Sequence, residues 1–128
     1  MVQAAALWVP LDSSGRPLRL EREFLALYGE AAAGRRVTGR VPAPVSPGAA
    51  TTQPWPIRRA DLDVVGHVNN AAVWTALSEV APGPVESASM THHGAVEEGQ
   101  VVTLASAPGR IWLTVNAEVK VSGEFFPA

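Results

Sequence analysis

A chain of 128 residues that is 47% hydrophobic and 17% charged fits one domain, is too short for two ordinary ones, and is too apolar to be disordered throughout. It has no cysteine, which removes disulfides, thiolate zinc sites, iron–sulfur clusters and cysteine nucleophiles and leaves oxygen and imidazole chemistry. A formal net charge of -2 supplies no basic surface for phosphate, so nucleic acid is set aside as a partner.

Residues 1–9 carry no positive charge before their apolar run and soon meet Pro10 and Asp12, which matches neither a signal peptide nor a membrane span, so a cytoplasmic location is expected. Residues 4–10 read as a strand that runs into a turn at the Asp12-Ser-Ser-Gly15 cluster. Residues 18–28 place Leu20, Phe24, Leu25, Leu27 and Tyr28 close to helical spacing, with Glu21 and Glu23 suited to a first turn. From 34 to 56 the chain carries Pro42, Pro44, Pro47, Pro54 and Pro56 among small residues, an extended connector and the evident boundary.

Beyond the connector the spacing predicts a strand over 55–59, a loop through 61–66 and a helix over 68–80, stopped by Pro82-Gly83-Pro84. Strands follow over 85–93, 100–107, 110–115 and 119–126, and the last three form a meander of hairpins. Asn116-Ala117 joins the final pair, an uncomfortable two-residue turn because both central residues of a type I′ turn need positive φ. The helix carries Ala71, Ala72, Val73, Trp74, Ala76, Leu77 and Val80 and hardly any polar face, so it is expected to be wrapped by sheet instead of lying on a surface, an α+β arrangement.

The densest chemistry lies in Arg59-Ala-Asp61-Leu-Asp63-Val-Val-Gly66-His67-Val-Asn69-Asn70, where a tight loop enters the helix. Gly66 permits a conformation other residues resist, and free N–H groups at a helix start can polarise a carbonyl. Asp63 is a candidate nucleophile or base, with His67 to orient carboxylate, water or substrate. The alternative use of Asp and Asn here is capping, and of His67 the satisfaction of a backbone carbonyl. His92 and His93 are adjacent on a strand, so they face opposite sides and no metal site is expected from them. Trp55, Trp74 and Trp112 are candidates for core packing before they are candidates for lining a ligand tunnel.

The run Asp61-Leu-Asp63-x-x-Gly66-His67-Val68-Asn69-Asn70 resembles the signature of hotdog-fold thioesterases, in which a curved antiparallel sheet wraps one long apolar helix. Within that superfamily the chain is similar to the C-terminal half of bacterial acyl-acyl carrier protein thioesterases. The segment from Ala6-Leu-Trp8 through Gly15-Arg16-Pro17 resembles the tail of a first hotdog domain, and Ile111-Trp112-Leu-x-Val115 to Val119-Lys-Val-Ser122 resembles the closing hairpin. The resemblance implies a division into residues 1–47, the tail of a first hotdog domain, and residues 48–128, a hotdog thioesterase domain.

It also implies hydrolysis of fatty acyl thioesters, carried by acyl carrier protein or coenzyme A, in fatty acid biosynthesis. Asp63 would be base or nucleophile, His67 the active-site histidine, and Gly66, Val68, Asn69 and Asn70 the substrate-binding backbone, with no cofactor and no metal. Glu79 falls on a glutamate with a structural role. Val65 stands where an asparagine is expected and Ala95 near an expected glutamate, with Glu97 and Glu98 as replacements only if their loop turns inward. A homodimer is implied, because hotdog sites lie between two domains. The rival readings are a non-catalytic acyl-binding or dimerisation module, a shortened remnant of a two-domain enzyme, and dehydration of a hydroxyacyl thioester on the same fold.

Overall fold

The computed structural model describes residue 10 and residues 12–14, 16–32 and 43–128. Residues 4–9 of the strand expected over 4–10 and residues 34–42 of the connector lie outside the described residues. The chain divides into two units, Met1–Arg40 and Val41–Ala128.

In the first unit the Asp12 carboxylate Oδ1 accepts hydrogen bonds from the Ser14 and Arg16 N–H groups at 2.8 and 2.9 Å, the side-chain-closed turn that aspartate favours. The Leu18 N–H donates to the Pro10 carbonyl at 2.8 Å, so Leu18 belongs to this turn and not to the helix. Helix α1 (Arg22–Ala32) therefore starts later and runs further than the spacing over 18–28 predicts. Its Phe24 and Tyr28 rings, one turn apart, stack with centroids 4.7 Å apart.

In the second unit β1 (Thr51–Pro54), β2 (Val85–His92), β3 (Val102–Ala107), β4 (Arg110–Val115) and β5 (Glu118–Pro127) form an antiparallel sheet in the order β1-β3-β4-β5-β2. The meander expected over the last three strands is present as β3-β4-β5. The first strand lies earlier than expected: β1 ends at Pro54, and Trp55 donates only one further bond, to the Val102 carbonyl at 2.9 Å. Pro56 has no N–H with which to continue the ladder, and a short 3-10 turn, Arg59–Asp61, follows.

Strand alternation gives the sheet two unlike faces. Leu104, Ile111, Leu113, Val121 and Phe125 share one core with Val73, Ala76 and Leu77 of helix α2 (Asn70–Val80). Each of the larger side chains among these contributes about 1.5–3 kcal/mol on burial. Trp112 faces the other way, between Ala105 and Ser122 of the neighbouring strands, buried but outside that core. Helix α2 turns only one side to the sheet, and Ala71, Trp74, Thr75, Ser78 and Glu79 are exposed, so the helix is not covered on every side as its composition predicts.

Two irregularities shape the site end of the sheet. The register of β4 on β5 shifts so that Leu113 opposes Val121 while Thr114 opposes Val119, which leaves Lys120 as the extra residue of a bulge. Its carbonyl accepts from the His93 and Gly94 N–H groups at 2.8 and 3.3 Å, which turns the chain out of β2. Gly123 lies flat beneath Met90, where an added Cβ would come within 2.6 Å of the Met90 sulfur. At the other end of β4, Asn116 and Ala117 take φ of 49° and 65°, the left-handed pair that a type I′ hairpin demands.

An alanine held in that region carries roughly 1–2 kcal/mol of steric cost, part of which glycine returns as unfolded-chain entropy. The Ala117→Gly variant is expected to be more stable by about 0.5–1 kcal/mol, measured by urea unfolding at constant slope. No gain would mean that the turn is not strained.

Candidate active site

The segment from 58 to 70 is built around Asp61, a carboxylate only 4% exposed. Its Oδ2 accepts from the Arg58 backbone N–H at 2.8 Å and from Arg58 Nε at 3.0 Å, while Oδ1 accepts from Nη2 at 2.8 Å. This two-pronged guanidinium contact satisfies the buried charge and holds the Asp61 carboxyl below the usual carboxylate range. The Asp61 carbonyl in turn accepts the Asn69 N–H at 2.7 Å, bringing the two ends of the loop together.

Between those ends the chain makes a small antiparallel ladder, Leu62 opposite Val68 and His67 opposite Glu97. Asp63 closes its tip. The Asp63 N–H donates to the His67 carbonyl at 2.8 Å, and Oδ1 accepts from the Val65 and His67 N–H groups at 2.9 and 3.0 Å. Gly66, at φ 81°, completes the reversal, with no side chain near enough to crowd a Cβ; the backbone conformation is what calls for glycine. The bonds from His67 and then Val65 lower the Asp63 carboxyl against the opposing effect of its desolvation, so Asp63 is ionised at neutral pH. Oδ2 accepts no hydrogen bond from the described residues.

Asn69 caps the helix: its side chain accepts from the Ala71 N–H at 2.8 Å. The helix thus starts at Asn70 and not at Val68, which corrects the expectation over 68–80. The physical reason lies in the hydrogen bonds. The Val68 N–H donates to the Val96 carbonyl at 2.7 Å and the Asn69 N–H to Asp61, so these two donors are spent on holding the loop. The Asn70 N–H has no protein acceptor among the described residues, which leaves it as the donor that the helix start presents.

Asp63, His67, Val68, Asn70, Val73, His92, His93, Ala95, Val96 and Val121 line a groove of about 420 Å³. The structure therefore gathers Asp63 and His67, the side chain of Val68 and Asn70 at one opening, while Asn69 is used as cap and Gly66 as turn. Ala95 adds no polar group to the groove, and the side chain of Val65 is exposed. Glu97 stands across the ladder from His67 and Glu98 donates its N–H to the Gly66 carbonyl at 3.0 Å, but neither side chain lines the groove. Trp112 is on the opposite sheet face and Trp55 is in the core. Glu79 lies with Arg58 and Thr75 around a separate depression.

His92 and His93 both line the groove, and sequence reasoning gave neither a role there; they differ in which way their rings turn. His92 pairs with Val121, a core residue on the helix side, whereas the His93 ring bonds the Ser122 hydroxyl at 2.9 Å. Strand alternation separates the two rings, but only the β2–β5 register shows which one shares a face with α2.

The comparisons agree with this architecture. The family described as the acyl-ACP thioesterase C-terminal domain matches residues 46–119. No curated protein matches the chain by sequence. Among solved structures, the 12:0-ACP thioesterase of Umbellularia californica superposes with a TM-score of 0.67 at 17% identity, covering 92% of this chain and 53% of that one. A protein assigned as an oleoyl thioesterase of Lactobacillus plantarum gives 0.59 at 21% identity, covering 88% and 51%. The chain thus spans about half the length of each, and the shared fold is the hotdog arrangement expected from the sequence. Among the described residues no helix is long and apolar enough to cross a membrane.

Because the Arg58 contact favours ionised Asp61, the stability it lends is present above the ordinary carboxyl value of 3.8 and is lost as pH falls through the lowered folded value. The Asp61→Asn variant is expected to lose about 1–3 kcal/mol near neutral pH. Its deficit relative to the parent should shrink below pH 3.8 in denaturant titrations. A deficit that does not change with pH would show that charge is not what Asp61 contributes.

Proposed function

The chain belongs to the acyl-ACP thioesterase C-terminal domain family, and from that premise we propose that it hydrolyses fatty acyl thioesters, carried by acyl carrier protein or coenzyme A, to the free acid and the thiol. The observation that carries this reading is the groove itself. It sets an ionised carboxylate with one uncommitted oxygen, Asp63, beside His67 and a free helix-start N–H at Asn70.

In this reading the acyl carbonyl lies with its oxygen toward the Asn70 N–H, where the partial positive charge of the α2 N-terminus stabilises the oxyanion as it forms. Val68, Val73, Val96 and Val121 supply apolar contact for the first carbons of the acyl chain. Two routes lead to products. Asp63 Oδ2 attacks the carbonyl carbon, expels the thiolate and leaves an anhydride that water cleaves; or Asp63 orients a water that attacks directly while a base takes its proton. The low basicity of Asp63 suits it to attack or orientation more than to proton removal. Labelled solvent oxygen entering the Asp63 carboxylate in a single turnover separates the two routes.

A homodimer in the cytoplasm, serving fatty acid biosynthesis, completes the proposal. The exposed side of α2, with Trp74, and the edge position of β2 are surfaces on which a second copy would complete the site. The rival reading, an acyl-binding module without turnover, draws on Ala95 and Val65, which leave the groove with fewer polar groups than an enzyme of this family is expected to have.

Thiol release from a panel of acyl-acyl carrier protein and acyl-coenzyme A substrates decides between them. Turnover is expected from the parent chain and a loss of about 10²–10⁴-fold in Asp63→Asn, which keeps an oxygen for the Val65 and His67 N–H groups. Acyl ligand binding with no turnover in the parent would favour the binding module. Specific activity should rise with protein concentration in step with dimer formation in sedimentation experiments.

A further inference from the structure

We propose that His92 is the proton acceptor of this groove, taking the proton of the attacking water; the assignment rests on the thioesterase reading above. His92 ends β2 opposite Val121, so its side chain lies on the α2 face of the sheet and lines the same groove as Asp63, His67 and Asn70. Its ring has no hydrogen-bond partner among the described residues, while the His93 ring is committed to Ser122. On the loop opposite, Asp63 has one oxygen held by two N–H groups and is a lowered, weakly basic carboxylate, and His67 supplies the other loop group that lines the groove.

The groups that face His92 are few. Asp63 and His67 come from the loop, His93 follows on the chain, Glu118 on β5, ion-paired with Lys120 of the same strand, shares a second opening with His92, and α2 contributes only the uncharged Asn70 and Val73. No ion pair joins His92 to any of them among the described residues. His92 is exposed at the mouth of the groove; the desolvation it does undergo there, and then the neighbouring His93, lower it below the ordinary imidazole value of 6.5, the direction that favours the neutral ring a proton acceptor must be. In the step itself a ring nitrogen takes one proton of the water, the water oxygen bonds to the carbonyl carbon, the carbon–sulfur bond breaks, and the departing thiolate takes the proton back from the imidazolium. Asp63 Oδ2 holds the other hydrogen of that water.

The test is the pH dependence of thioester hydrolysis by the full chain and by His92→Gln, with each checked for folding by thermal melting. A base must be unprotonated to act, so kcat/KM of the parent should be flat near neutrality and fall on an acid limb displaced below 6.5. In His92→Gln kcat should drop by about 10²–10³-fold, with KM within about threefold and the acid limb gone. A variant within about threefold of the parent that keeps the acid limb overturns the assignment and leaves the thioesterase reading intact. A folded parent with no turnover on any acyl thioester overturns both. Should His92→Gln fail to fold, the His92 ring titrated by NMR in the parent serves instead. Agreement of its pKa with the kinetic limb within about 0.3 supports the role, and a wider gap removes it.

Discussion

Asp61 is the residue on which the site depends. Its carboxylate is gripped by the Arg58 guanidinium and backbone N–H, and its carbonyl accepts the Asn69 N–H. A single residue thereby ties the chain entering the loop to the chain entering α2, some eight residues later. The cap at Asn69, the start of the helix at Asn70 and the ladder of Val68 on Val96 all follow from that closure. A buried carboxylate is tolerated here because both oxygens have donors with opposite charge or full N–H character.

Asp63, only two residues on, has the opposite environment. It is exposed, closes the tip with one oxygen and keeps the other uncommitted. The two aspartates differ in burial, and hydrogen bonds lower both carboxyls. Capping and the proposed catalysis are not exclusive uses of such residues: the turn bonds at Asp63 are what would hold the carboxylate still for the reaction proposed above.

The sheet contributes its own geometry to the groove. The Lys120 bulge releases the chain from β2 after His92 and sends it through Gly94 and Ala95 to Val96, where it meets the loop. A regular ladder would have carried β2 past the helix start. The bulge therefore brings a strand end, a loop and a helix N-terminus together, while the apolar side of β3, β4 and β5 anchors α2 behind them.

Much of this was open to reading in the amino acids alone. The meander, the proline stop after α2, the density of chemistry from Asp61 to Asn70 and the strained Asn116-Ala117 turn follow from local pattern, because periodicity and turn chemistry act over a few residues. The resemblance of the Asp61 to Asn70 run identified the hotdog arrangement. Long-range hydrogen bonds decided the rest. Whether Val68 begins a helix or pairs with Val96, and which of His92 and His93 shares a face with α2, depend on partners 28 to 29 residues away in the chain. Such partners carry no local signal, since a one-residue slip in register exchanges the two faces of a strand without changing a single amino acid.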